Sequence, residues 1–161
     1  GYVRDLAQDT RPFQPLYRYI AAELPENALI AGWPDDALDA LPLYARRAVL
    51  ANPELGQPMY RRYYEELRQR LQDSVRAYVA TSAQDPVFAR LRERWGVTHV
   101  LVEKRVYHPV RPPLILQPFR TLAREYYDAS DRERHPLYQP PAESRVYEDE
   151  VFILVDLGRL R

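Results

Sequence analysis

A chain of 161 residues is long enough for one domain with a genuine core. Its composition, 46% hydrophobic and 29% charged, is that of a folded soluble protein, and a formal net charge of zero lacks the basic excess of a nucleic-acid binder or a polybasic membrane patch. The absence of cysteine excludes disulfides, thiol nucleophiles and thiolate metal sites.

No apolar run approaches the ~18 residues needed to span a bilayer, and none of the given residues is expected to act as a signal peptide. Met59 is the only methionine. The expectation is therefore a fragment or processed product, with Gly1 a tag scar and an upstream part missing.

Residues 1 to 13 lack clear periodicity and read as a lead-in to a single α/β domain over residues 14 to 161. "QPLYRYIAAEL" puts Leu16, Tyr19, Ile20 and Leu24 on one helical face, with Pro15 at its start and Pro25 at its end. "ALIAGW" is short, apolar and closed by Gly and Pro, as in a buried strand. "DDALDALPLYA" predicts one or two helical turns stopped near Pro42, and "RRAVLAN" a second short strand.

The clearest periodicity runs from Met59 to Ala80. Tyr60, Tyr63, Tyr64, Leu67, Leu71, Val75 and Tyr78 recur at three-four spacing, which predicts a long helix burying a tyrosine-rich stripe. A second helix follows, with Asp85 as N-cap, Pro86 in the first turn and Gly96 at the C-terminus. "VTHVLVE" reads as a strand covered on both faces. A loop is expected over 105 to 117, a short helix over "PFRTLAREYYD", and a rigid loop over "RERHPLYQPPAE". "SRVYEDEVFILVDLG" predicts two strands joined by an acidic turn near Glu148 and Asp149.

In open α/β sheets, ligands bind beyond the carboxyl ends of strands. Gly32-Trp33-Pro34-Asp35-Asp36 occupies such a place if Ala28 to Ala31 is the first strand. Gly32 admits close backbone approach, Trp33 offers a stacking face, and Asp35 and Asp36 accept hydrogen bonds from hydroxyls or hold a hard cation. The plain alternative is a strand stop in which Pro34 opens a helix and an aspartate caps it. Arg46 and Arg47 can grip a phosphate or carboxylate bidentately, or form surface ion pairs worth under ~1 kcal/mol each.

Five glycines supply neither a dinucleotide fingerprint nor a Walker-type loop, so no nucleotide cofactor is expected. His99, His108 and His135 show no metal-ligand spacing, and no Ser-His-Asp order or nucleophile elbow is present. Neither a catalytic set nor a metal site is expected.

Three stretches together carry a resemblance: "ELPENALIAGWPDDALDALPLYARRAVLANPE", "YRRYYEELRQRLQDSVRAYVA" and "LRERWGVTHVLVEK". They resemble the soluble region after the last transmembrane helix in bacterial polytopic proteins of the GT-C glycosyltransferase type. Relatives of lipid-linked-sugar transferases and oligosaccharyltransferases are among these. The likeness covers residues 23 to 157, including the terminal "SRVYEDEVFILVDL". In oligosaccharyltransferases the loop after the first strand carries a Trp-Trp-Asp motif that reads the acceptor peptide. Trp33 and Asp35 match one Trp and the Asp, with Pro34 interrupting the order. The resemblance implies that the catalytic carboxylates lie in a membrane portion and that this region performs no chemistry itself.

The expected fold is an α/β, three-layer Rossmann-like domain: a small, mainly parallel sheet with a C-terminal antiparallel hairpin. The resemblance implies a non-catalytic accessory domain, tethered to a polytopic membrane protein on its extracytoplasmic, periplasmic side. It would bind an acceptor or a lipid-linked sugar through Trp33, Asp35, Asp36 and Arg46. Its partner would be the transmembrane portion of the same polypeptide, and nucleic acid is not expected. Two alternatives stay open: a free-standing ligand-binding or protein-interaction module, and an independent hydrolase or metal enzyme using Asp35, Asp36 and His99.

Overall fold

A computed structural model of the chain describes residues 11–52, 61–107 and 132–161. A short 3₁₀ turn, Arg11–Phe13, leads into helix α1, Gln14–Glu23, with Pro15 in its first turn. Strand β1, Leu29–Gly32, is followed by two short helices, α2, Asp36–Asp39, and α3, Leu41–Ala45. Pro42 sits within the first turn of α3 rather than ending a helix. Its missing N–H costs nothing there, because first-turn donors have no intrahelical acceptor. Strand β2 is only Ala48–Val49.

Helix α4, Arg61–Val79, and helix α5, Pro86–Glu93, come next. The Asp85 carboxylate accepts from the Val87 N–H at 2.9 Å, which is the expected cap. Gly96, at φ 73°, ends the helical segment in a left-handed turn. Its N–H bonds the Arg92 carbonyl and the Val97 N–H bonds that of Leu91, so the turn serves two of the carbonyls left open at the helix end. Strand β3, His99–Glu103, leads straight into the single turn α6, Lys104–Tyr107. The chain ends in the antiparallel hairpin of β4, Arg145–Glu148, and β5, Phe152–Asp156. The Asp149 carboxylate ties the hairpin turn by accepting from the N–H groups of Val151 and Phe152 at 2.7 Å each.

The five strands form one sheet in the order β2-β1-β3-β5-β4. The pairs β1·β2 and β1·β3 are parallel, while β3·β5 and β5·β4 are antiparallel. Helices cover both faces, giving three layers as expected. On one face Val100, Val102, Ile153 and Val155 meet Val75 and Tyr78 of α4 and Phe88 and Leu91 of α5. On the other, Ile30, Leu101 and Leu154 meet Leu16 and Ile20 of α1, Leu38 of α2 and Leu41 of α3. Phe13 belongs to this second layer, with its ring 5.6 Å from that of Phe152.

Other local expectations change: the loop expected over 105 to 117 is helical in its first residues, which belong to α6. Tyr17, not Tyr19, is the fully buried tyrosine of α1, and its hydroxyl donates to the Ala37 carbonyl at 2.8 Å. On α4, Leu67, Leu71, Val75 and Tyr78 are buried, but Tyr63 and Tyr64 are exposed. At ~1.5 Å per residue the helix is far longer than strands of this size. Val75, Ala77 and Tyr78, near its C-terminal end, join the main core, while Leu67 and Leu71 pack with Ala51 in a separate small cluster. Tyr60, His108 and the expected helix over "PFRTLAREYYD" lie outside the described residues.

No helix among the described residues is long and apolar enough to cross a membrane.

A candidate functional site at the strand ends

Parallel strands β1 and β3 pair as far as Gly32 and Leu101. Backbone packing is tight there: a Cβ on Gly32 would lie 3.0 Å from the Leu101 carbonyl oxygen and 3.3 Å from a Leu38 methyl. The glycine thus serves strand-to-strand and strand-to-helix approach, which sequence reading had assigned to a ligand. Just beyond, the strands separate around one hydroxyl. Tyr78 Oη donates to the Leu101 carbonyl at 2.6 Å and accepts from the N–H groups of Trp33, at 3.3 Å, and Glu103, at 3.2 Å. One donor and two acceptor sites are all a phenol has. Tyr78 therefore satisfies the backbone where the ladder stops, and it holds the crevice open.

Two carboxyl groups enter this crevice, one from each strand end. Asp35 follows β1. Its Oδ1 accepts from the Ala37 N–H at 3.3 Å, and its Oδ2 accepts from Arg105 Nη2 at 2.8 Å. The helix-cap role and the site role thus fall on different oxygens of one residue. Glu103 is the last residue of β3 and only 3% exposed. Its Oε1 pairs with Arg105 Nε, while its Oε2 meets no donor. The Asp35 carboxyl is within hydrogen-bonding reach of the Glu103 carboxyl. Two acceptors can share such a contact only if one carries a proton.

Burial pushes the Glu103 carboxyl up to about 9, helped by the hydrogen bond and the charge of Asp35 and opposed by Arg105. The shift favours the protonated form of Glu103 beside the Asp35 carboxyl. The Arg105 side chain roofs the pair and is 60% exposed, so the crevice has one wet side. A proton donor, a carboxylate acceptor and a guanidinium fork stand together. Such a group can hydrogen-bond ligand hydroxyls and amides in both directions.

The structure places the four candidate residues differently. Asp35 is in the crevice. Trp33 is buried, with its ring 5.2 Å from that of Tyr78 and edge-to-face, so it supports the crevice wall instead of offering an open stacking face. The side chain of Asp36 lies outside the described residues. Arg46 is at the opposite end of the parallel strands, because Ala48 pairs with Leu29 at the start of β1. It ends α3 in the left-handed region, at φ 53°. Its neighbour Arg47 bonds the carbonyls of Ala21, Leu24 and Pro25, closing the C-terminus of α1.

His99 is a core residue whose Nδ1 lies 2.8 Å from Thr98 Oγ1, and burial lowers its pKa. Among the described residues no cluster of three or more histidine, aspartate or glutamate side chains could hold a metal ion.

Sequence reading missed Glu103, Arg105 and Tyr78 as parts of this site. One signal was available: "VTHVLVE" ends a doubly covered strand on a carboxyl, which must then be desolvated and find a partner.

No family model matches the chain, and no curated protein does. Among solved structures, the chain is similar to the C-terminal globular domain of an oligosaccharyltransferase from Archaeoglobus fulgidus. The match has a TM-score of 0.52 at 11% identity and covers 92% of this chain and 98% of that domain. It shows a common fold.

Proposed function

We propose that this chain is a non-catalytic accessory domain of a bacterial, GT-C-type glycosyltransferase-like membrane protein. In this reading it faces the extracytoplasmic, periplasmic side and helps bind an acceptor or a lipid-linked saccharide. The observation that carries the reading is the fold match, which runs through nearly all of both domains. The crevice adds chemistry to it. The loop after β1 brings Asp35 to Glu103 and Arg105 at the carboxyl ends of two parallel strands, the usual place for a ligand in such sheets. The contact groups are Asp35 and Arg105, with Glu103 as the buried proton donor and Trp33 as structural support. Asp36, next to Asp35, stays a contact candidate, whereas Arg46 lies at the other end of β1 and is not part of this crevice.

The test is a transfer assay of the intact parent protein carrying Asp35→Ala or Arg105→Ala, with folding checked by circular dichroism. The acceptor KM should rise about tenfold, the loss of one charge-assisted hydrogen bond, while kcat changes little. Unchanged KM in both folded variants would overturn the site. A gene that encodes no apolar segment of about 20 residues would overturn the membrane reading.

A further inference from the structure

A second concavity lies over the sheet face that carries Val102 and Ile153. These residues alternate along their strands with Glu103 and Phe152, and none of Asp35, Glu103 and Arg105 lines it. Its volume is about 530 Å³, the size of ordinary small-molecule sites. One wall is aromatic: the half-buried Tyr138 packs edge-to-face on Tyr107 at 5.4 Å. The other wall is charged. Lys104 Nζ donates to Glu148 Oε1 at 2.9 Å and to the Asp149 carbonyl, and Arg145 Nη1 donates to Glu148 Oε2 at 3.1 Å.

The donor and acceptor inventory of this wall is unbalanced. Both Glu148 oxygens are engaged, and the hydrogen bond from Lys104 holds that carboxyl below the usual carboxylate range. Most N–H groups of the Arg145 guanidinium meet no acceptor among the described residues. Two cations face Glu148, and the neighbouring Asp149 carboxyl is taken up by the Tyr147 hydroxyl and the Val151 and Phe152 N–H groups. The Lys104, Arg145 and Glu148 side chains are partly solvent-exposed, between 32% and 40%, so a ligand reaches them without unfolding anything. A wall rich in donors and short of acceptors selects an acceptor-rich anion. The opposite wall and the apolar floor suit a ring.

We propose that this cleft binds an anionic small molecule, a carboxylate or phosphate ester whose charged end meets Lys104 and Arg145 and whose ring-sized body lies against Tyr138. The site is independent of the crevice at the β1 and β3 ends.

The experiment is a titration of the 161-residue chain, followed by amide proton–nitrogen spectra, with phenyl phosphate, inorganic phosphate and phenol as probes. Phenyl phosphate should shift the amides of residues 102–107 and 138–148 saturably at millimolar concentration. Inorganic phosphate should bind more weakly, and phenol should leave the charged wall unmoved. Arg145→Gln and Lys104→Gln should each weaken phenyl phosphate binding about tenfold while the rest of the spectrum stays native, because partly exposed ion pairs contribute little to stability. Unmoved amides, or an affinity unaltered in both variants, would overturn the proposal.

A parallel arm identifies the source of the anion. Retention on phosphatidylglycerol vesicles that Arg145→Gln abolishes and phenyl phosphate competes away supports a lipid headgroup in the cleft. Saturable phenyl phosphate binding without vesicle retention supports a soluble ligand.

Discussion

Two buried carboxyl groups in this molecule are treated in opposite ways. Asp73, on α4, is 7% exposed and fully served. Its Oδ1 accepts from Arg90 Nε and Nη2 at 3.2 and 3.1 Å, and its Oδ2 accepts from Trp95 Nε1 at 2.8 Å. The Trp95 ring is itself flanked by the guanidiniums of Arg70 and Arg94, 5.0 and 4.5 Å from its centroid. This network clamps α4 to α5. Glu103 has one arginine, one oxygen without a donor, and a second carboxyl beside it. A buried carboxylate with a full set of donors holds helices together. A buried carboxyl short of donors and set beside a second carboxyl is pushed toward its protonated form, as happens at functional sites.

The largest expected effect comes from removing the hydroxyl that frames the crevice. Tyr78→Phe strands two buried N–H groups and one carbonyl together, so it should cost about 3 kcal/mol. Urea unfolding measures this, and a loss below ~1 kcal/mol would show that β1 and β3 re-pair without the hydroxyl. Asp73→Ala comes next, at about 2–3 kcal/mol, since it leaves the Trp95 donor and the Arg90 fork unpaired. The same unfolding assay decides it. A cost as small as that of an exposed ion pair would erase the contrast between the two carboxyls.

Glu103→Gln sharpens the contrast through pH. The Glu103 carboxyl rises in the folded state from an ordinary 4.5 to about 9, so between those values the native state holds a proton that the unfolded chain has released. Its contribution to stability is complete below 4.5 and is lost as pH rises toward 9. The slope approaches 1.4 kcal/mol per pH unit, roughly that of one proton. The amide introduced by the substitution cannot ionise, so the variant should gain on the wild type through that window and run parallel to it above. Parallel curves throughout would mean that Glu103 titrates normally.

The smallest effects separate the two adjacent arginines. Arg47→Ala should cost about 1 kcal/mol, because it frees three carbonyls at the end of α1. Arg46→Gly should be neutral or gain up to ~1 kcal/mol, because φ 53° suits glycine better than arginine. Thermal melts of the two variants should move in different directions or by clearly different amounts.

Much of the layer structure was legible in the sequence. The spacing of Leu67, Leu71, Val75 and Tyr78, the Asp85 cap, the Gly96 stop and the acidic hairpin turn are local signals, and the structure realises each of them. What periodicity cannot reveal is how much of an apolar stripe its neighbours cover, and Tyr63 and Tyr64 are left exposed. Nor does it show which neighbour a residue approaches. Trp33 and Gly32 read as ligand-facing because they end a strand, yet tertiary packing uses them against Tyr78, Leu101 and Leu38. Asp35 was found because strand-end position is a local feature. Its partners Glu103 and Arg105 are about 70 residues away and meet it only through the parallel pairing of β1 with β3.

The most direct test of this account is the pH titration of the Glu103 side-chain carboxyl by carbon NMR in the folded chain. The account predicts a midpoint near 9, shifted by Asp35→Asn, which removes the neighbouring charge. A midpoint at the ordinary glutamate value of about 4.3 would mean that Glu103 is ionised at neutral pH, and the crevice would hold no proton to offer a ligand.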